Sequence, residues 1–285
     1  RAQKEGGYLL MKKKWPVIAS ELFFLLITVM IWIPIYYFVI GSFKTREDIV
    51  MFPLSIQADM FSFGNYVYVW DNMKIGNAIL NTAIITVGAL LLTVVISSLA
   101  GYALARIKGC FFNISYQYVV TLMVVPFISC LLMLVRLSTK LSLYNTIWGC
   151  ILIHTAWHVP FCTFLYTGFM KSIPVELEEA AYIDGCSTFK TYKVVFLPLL
   201  APVTATCCIR SGITIWNDYL VSKALLNSVR TPTLMVSISS FFGEYVSEYG
   251  YAFAGIVIAS LPITLIFIFL QKYFIKGLTA GAVKG

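Results

Sequence analysis

The sequence predicts an all-α polytopic membrane protein with six transmembrane helices, and three observations carry that reading. Hydrophobic residues make up 59% of the 285 positions and charged residues only 12%, where a soluble chain carries about 25% charged residues. Apolar runs of bilayer-crossing length recur six times, each near the roughly 18–20 residues a hydrocarbon core requires. Lys and Arg are unevenly divided between the connecting segments. The net charge of +8 therefore reads as juxtamembrane asymmetry, which sets orientation, and not as a nucleic-acid footprint.

The first run, about 17–40, is too long for a signal-peptide core and lacks an Ala-x-Ala exit, so it is a retained span. Residues 1–16 precede it as a cytoplasmic segment, and 17–285 form the membrane domain. The second run covers about 78–100, the third 114–135 and the fourth 146–170. After a charged interval, the fifth covers about 199–221 and the sixth 252–274. Pro34, Pro126, Pro160, Pro202 and Pro262 fall inside or near the ends of these runs. Proline is tolerated in a span where neighbours satisfy the freed carbonyl. It predicts kinked helices, whether for a cavity or for packing alone.

With both termini on one side, that side carries 13 Lys and Arg and the opposite side 7, Arg210 being inside a span. The positive-inside rule then makes both termini and residues 171–198 cytoplasmic. The longer loops, about 41–77 and 222–251, face outward.

Residues 176–198 are a charged, amphipathic island between apolar runs. Pro174 suits a first helical position and Glu176 a first turn. Residues 176–184 then read as a short helix, with Gly185 as its left-handed stop. Ser187 or Thr188 can cap a second helix, running from about Phe189 and broken near Pro198. Such an arrangement is either a well-capped surface loop or a docking surface.

Within the fifth run, Thr206, Arg210, Thr214 and Asn217 share one helical face at 100° per residue, with Trp216 and Asp218 adjoining. A central Arg is costly in a bilayer and faces a cavity or a partner. The stripe is either a wall of a translocation pathway or a structural ion-pairing face. His154 and His158, four apart on the fourth span, could line a pathway or pack. They lack the Glu of a zinc-protease helix, so no metal is expected. Trp148, Trp157, Tyr166 and Trp216 could stack on a ligand ring, anchor the membrane interface or pack. The seven cysteines form no C-x-x-C pair and read as small buried hydrophobes.

The order Glu179-Ala180-Ala181, three residues, Gly185, nine residues, Val195, one residue, Leu197-Pro198 resembles the loop by which ATP-binding-cassette (ABC) import permeases grip their ATPase. Asn81-Thr82, the stretch Ser97–Arg106, Trp216–Leu220 and the tail Gln271–Gly285 resemble the MalG-like carbohydrate importer permeases, over roughly residues 77–285. That resemblance implies the type I ABC importer permease fold, with a cytoplasmic coupling loop at about 171–198, in a bacterial cytoplasmic (inner) membrane. It implies that Glu178, Glu179, Ala180, Ala181, Asp184, Gly185, Leu197 and Pro198 couple to the ATPase. It also implies a second homologous permease, two ATPase subunits, an extracytoplasmic sugar-binding protein and alternating access. The sequence shows no Gly-x-x-x-x-Gly-Lys-Ser/Thr phosphate loop, so ATP and Mg are expected on the partner ATPases, and this chain is not expected to be an enzyme. Arg210 adds the expectation of an acidic, uronate-containing oligosaccharide. A self-contained channel or ion-coupled transporter is the alternative, opposed by the scarcity of intramembrane acids. A membrane-embedded enzyme would have only His154, His158 and Asp218 to build on.

Overall fold

The computed structural model describes residues 2–56, 61–227, 229–242 and 248–282, with side chains from 17 to 269 of these. The orientation argument from Lys and Arg near the termini, and the resemblance of the 271–285 tail, rest on side chains outside the described residues. In order, the elements are α1 (Ala2–Gly41), α2 (Arg46–Met51), α3 (Gly64–Asn72), α4 (Ile75–Arg106), α5 (Cys110–Leu122), α6 (Phe127–Lys140), α7 (Ile147–Lys171), α8 (Glu176–Ile183), α9 (Thr188–Thr191), a π-helical turn (Tyr192–Phe196), α10 (Leu197–Leu199), α11 (Ala201–Trp216), α12 (Leu220–Leu225), α13 (Leu234–Ser239) and α14 (Tyr249–Ala282).

Among the described residues, four helices are individually long and apolar enough to cross a bilayer: Val17–Gly41 of α1, α4, α7 and Tyr249–Phe269 of α14. They reproduce the expected first, second, fourth and sixth spans to within a few residues over the described side chains. The other two expected spans are not straight. The third is the pair α5 and α6, bent by 104°. Pro126 is the cause, since it has no N–H and forces the residue before it out of the α region. Each arm is 13 or 14 residues long, about 20 Å at 1.5 Å per residue, too short to cross alone. The fifth span is α11, of 16 residues. It meets the preceding 188–199 segment at a 70° bend.

The chain divides into two compact units. The first is Arg1–Asp71 with Phe241–Ile258. Here the segment after α1 is tied by buried polar groups. Lys44 Nζ donates to the Phe52 and Ser55 carbonyls at 2.7 and 2.6 Å. Asn65 Nδ2 donates to the Ser42 and Lys44 carbonyls at 2.9 and 2.8 Å. Burial pushes the Lys44 ammonium below the ordinary lysine range, partly offset by the Asp48 carboxylate. Phe253 packs edge-on against Tyr37 and Phe38.

The second unit, Asn72–Ser240 with Ala259–Gly285, is organised around α4 against α7. Small residues let the two backbones approach, as is usual between membrane helices. A Cβ on Gly101 would stand 2.6 Å from Tyr166 Cβ and 3.1 Å from the Thr167 backbone nitrogen. Two apolar clusters lie at opposite ends of this pair. One joins Ile85 and Ala89 of α4 to Cys150 and Ile151 of α7 and to Ile215, Val221 and Leu225. The other joins Tyr102 to Tyr166 and Met170 of α7 and to Tyr192, Phe196 and Leu200.

The candidate docking loop and the polar face of the fifth span

The island between α7 and α11 is two-limbed. Its first limb, α8, spans Glu176–Ile183, matching the expected 176–184 helix, with Pro174 lying ahead of its first turn. Glu176, Glu178 and Glu179 fill its first turn, where the helix dipole favours negative charge. It stops in a Schellman motif. Gly185 N–H donates to the Tyr182 carbonyl at 3.0 Å and Cys186 N–H to the Ala181 carbonyl at 2.9 Å. Gly185 has φ +75°, the left-handed region that this motif requires and glycine supplies without strain. The second limb opens with Ser187, whose hydroxyl accepts from Lys190 N–H.

The second limb was expected to break near Pro198, and it breaks two residues further on, at Leu200, after α10. The π turn explains the delay. Leu197 N–H reaches back five residues to the Tyr192 carbonyl, and this wider turn makes room for the Pro198 ring, which would otherwise clash in a regular helix.

The expected docking residues divide between two faces. Glu179, Ala180, Asp184 and Gly185 are exposed, as are Leu197 and Pro198. Ala181 is buried beneath them. Around them stand Ile183, 86% exposed, and Phe189, 70% exposed. These two apolar residues were not singled out by the sequence, although large hydrophobes beside a charged helix are a legible signal of a covered surface. Glu178 is turned the other way. Its side chain is 10% exposed and meets Arg106 at 3.1 Å and the Tyr102 hydroxyl at 2.6 Å. It is committed within the chain and is not part of the outward surface.

On the fifth span, Arg210, Thr214 and Asn217 are exposed and Thr206 is half-buried. Three of these are satisfied locally: Thr206 Oγ1 donates to the Pro202 carbonyl, Thr214 Oγ1 to the Arg210 carbonyl and Asn217 Nδ2 to the Ile213 carbonyl. Arg210 differs. Its guanidinium lies 3.9 Å from the Phe161 ring centroid, a cation–π contact. Among the described residues no carboxylate approaches it within 4 Å. It borders a cavity of about 270 Å³ with Trp157, Pro160 and Phe161. Trp216, expected on the same wall, faces elsewhere. It is 4% exposed and its Nε1 donates to the Ala259 carbonyl at 3.0 Å.

The fifth helix ends at Trp216, so Asp218 lies just past it. Asp218 caps α12, accepting from Val221 N–H, Ser222 N–H and Ser222 Oγ at 3.1, 2.8 and 2.8 Å. It also stands 3.6 Å from His154 Nε2, an ion-pair separation slightly long for a hydrogen bond. His158 Nδ1 is 2.8 Å from the His154 carbonyl, and its buried Nε2 has no hydrogen-bond partner among the described residues. Both histidines, Trp157, Thr214, Asn217 and Asp218 line a second cavity of about 280 Å³. Trp157 thus borders both cavities.

Long apolar helices, two bent spans and a charged two-limbed loop between α7 and α11 define the class: a multi-pass membrane protein. A family model described as the binding-protein-dependent transport system inner membrane component matches residues 93–280. The melibiose/raffinose/stachyose import permease protein MelC of Bacillus subtilis (strain 168) is 38% identical over 257 residues, covering 89% of this chain and 91% of that protein. The arabinooligosaccharides transport system permease protein AraQ of the same organism is 31% identical over 271 residues, covering 94% and 96%. A crystal structure of a bacterial ABC transporter involved in import of the acidic polysaccharide alginate matches the fold with a TM-score of 0.78 at 21% identity, over 90% of this chain and 95% of that one. The chain belongs to the binding-protein-dependent transport system inner membrane component family. It is a multi-pass inner-membrane permease of the ABC sugar-importer type and not an enzyme.

Proposed function

We propose that this chain forms half of the translocation pore of an ATP-driven oligosaccharide importer and is driven through the outward face of α8. The exposed residues Glu179, Ala180, Asp184 and the left-handed Gly185, together with the exposed Ile183 and Phe189, carry this reading. They offer charge, small residues and uncovered apolar surface together. In this reading ATP and Mg bind two partner ATPase subunits, which lie on the side that holds residues 171–198 and both termini. An external sugar-binding protein delivers substrate, and a second permease completes the pore.

The substrate face is the exposed side of α11 with Trp157, His154, His158 and Asp218. The saccharides named for MelC and AraQ support an oligosaccharide, and Trp157 between two cavities suits stacking on a pyranose face. Arg210 extends the reading to acidic sugars, because its guanidinium has a ring beneath it and, among the described residues, no carboxylate beside it. The test is uptake by the reconstituted importer, with its ATPases and binding protein, of a neutral and a uronate-containing oligosaccharide of equal length. Arg210→Ala is expected to reduce uronate uptake at least tenfold more than neutral uptake. Equal losses remove Arg210 from substrate recognition. Undiminished coupled uptake in a Glu179→Lys variant removes α8 from docking.

A further inference from the structure

The last two turns of α4 carry a stripe on which both limbs of the loop rest. Ser98, Tyr102 and Arg106 are spaced by four, so they lie on one face of the helix. On the first limb, the Tyr102 hydroxyl donates to Glu178 Oε1 at 2.6 Å, and Arg106 Nε lies 3.1 Å from Oε2. Arg106 Nη2 also donates to the Ile173 carbonyl at 2.9 Å, in the connection between α7 and α8. On the second limb, the Tyr192 hydroxyl donates to Ser98 Oγ at 2.7 Å. Phe196 lies beneath the Arg106 guanidinium at 5.1 Å and edge-on to Tyr102 at 5.1 Å. The Nε contact is poorly aligned for a hydrogen bond, but the pair is excluded from solvent, with both side chains 10% exposed.

We propose that Glu178, Arg106 and Tyr102 act as a clamp that makes α8 and α4 one moving body, so that displacement of the docking turn enters the spans through α4. The inference rests on the reading of α8 as the docking element. Covalently, α8 is joined to α7 through residues 172–175 and to α11 through Gly185, the π turn and the 70° bend. Both routes pass through turns, which fold before they push. The clamp bypasses them. It ties the helix that carries the outward acids directly to a 32-residue span, through a carboxylate whose two oxygens both have partners. A buried ion pair that loses one partner leaves an uncompensated charge, so the clamp does not open readily under load. Glu178 is a positioning residue: it touches neither nucleotide nor sugar.

The test uses the complete importer in proteoliposomes and three measurements: ATPase retained on the purified permease, ATP turnover stimulated by loaded binding protein, and sugar moved per ATP. Glu178→Gln and Arg106→Gln are expected to retain the ATPase while sugar moved per ATP falls at least fivefold. The exchange Arg106→Glu with Glu178→Arg is expected to recover at least half of the coupling. Wild-type sugar moved per ATP in either single variant overturns the clamp, as does an exchange variant no better than the singles. Should those variants fail to assemble, Tyr102→Phe removes one hydroxyl and keeps the packing. It is expected to lower coupling two- to fivefold, and unchanged coupling overturns the proposal. Glu179→Arg, on the outward face, separates the two readings. It loses the ATPase if α8 docks, whereas normal retention and uptake would defeat the docking reading whatever the clamp variants do.

Discussion

Replacing Gly185 separates two reasons why a glycine might be needed there. The residue sits at φ +75°, where an ordinary L-residue is strained by about 1–2 kcal/mol. Yet a Cβ built on it would meet nothing within 4 Å, so no steric clash inside the chain opposes substitution. Asn tolerates the left-handed region much better than Ala. If conformational strain alone matters, Gly185→Ala shifts the turn's equilibrium by a factor of about 5–30, while Gly185→Asn stays near wild type. If the turn enters a cleft on the ATPase, side-chain bulk decides, and Asn is at least as harmful as Ala. We expect the second order: Gly185→Asn should melt like wild type as purified permease yet lose ATPase retention and uptake at least tenfold. The assay is affinity purification of the complex with the ATPase quantified, paired with uptake and with thermal unfolding of the permease. Wild-type retention and uptake in Gly185→Asn would refute the cleft argument and leave only backbone conformation.

Gly101 and Gly168 make a contrasting pair on the packed helices. Gly101→Ala places a methyl 2.6 Å from Tyr166 Cβ and 3.1 Å from backbone, overpacking worth about 1–3 kcal/mol, whereas Gly168 faces open space and Gly168→Ala should gain about 0.5–1 kcal/mol of helix propensity; thermal unfolding in detergent should rank them in that order. Lys44→Met should remove the ammonium's hydrogen bonds to the Phe52 and Ser55 carbonyls, about 1.5–3 kcal/mol each, and speed hydrogen exchange across residues 49–56. Because burial lowers the Lys44 pKa in the folded state, the unfolded chain binds more protons between that lowered value and about 10.4. Stability of this segment should therefore rise with pH through that window, and Lys44→Met should abolish the rise.

Continuous apolar runs made the four long spans legible, since length and hydropathy are local properties. The third and fifth spans also showed as runs, but hydropathy does not report direction. Pro126 gave the only local sign of the 104° break. The 70° bend falls at Leu200, between Pro198 and Pro202, and these two prolines were its local signs. The Schellman stop at Gly185 was legible because motif, glycine and flanking acids agree. Glu178 was not separable from Glu179 in the sequence. One faces Tyr102, 76 residues earlier, and the other faces out, and only the register of α8 against α4 decides between them. Trp216 was misdirected for the same reason. It neighbours the polar face in sequence, but the hydrogen bond to the Ala259 carbonyl holds its ring against α14.

The exposed face of α11 argues for a second subunit on energetic grounds. This helix spans about 24 Å at 1.5 Å per residue, short for a hydrocarbon core of about 30 Å, and Arg210 falls near its centre. An Arg at that depth costs about 2.5–3.5 kcal/mol on insertion scales when lipid covers it. Phe161 offsets part of that, since a cation–π contact contributes about 0.5–2 kcal/mol, but Thr214 and Asn217 lie uncovered along the same side. The opposite side of α11 buries Ile209, Ile215 and Trp216, so the helix cannot rotate Arg210 inward without exposing its own packing. Water or protein must therefore cover this face. In the pore proposed above, a homologous permease facing it across an aqueous path supplies both, with the polar stripe as one wall of that path.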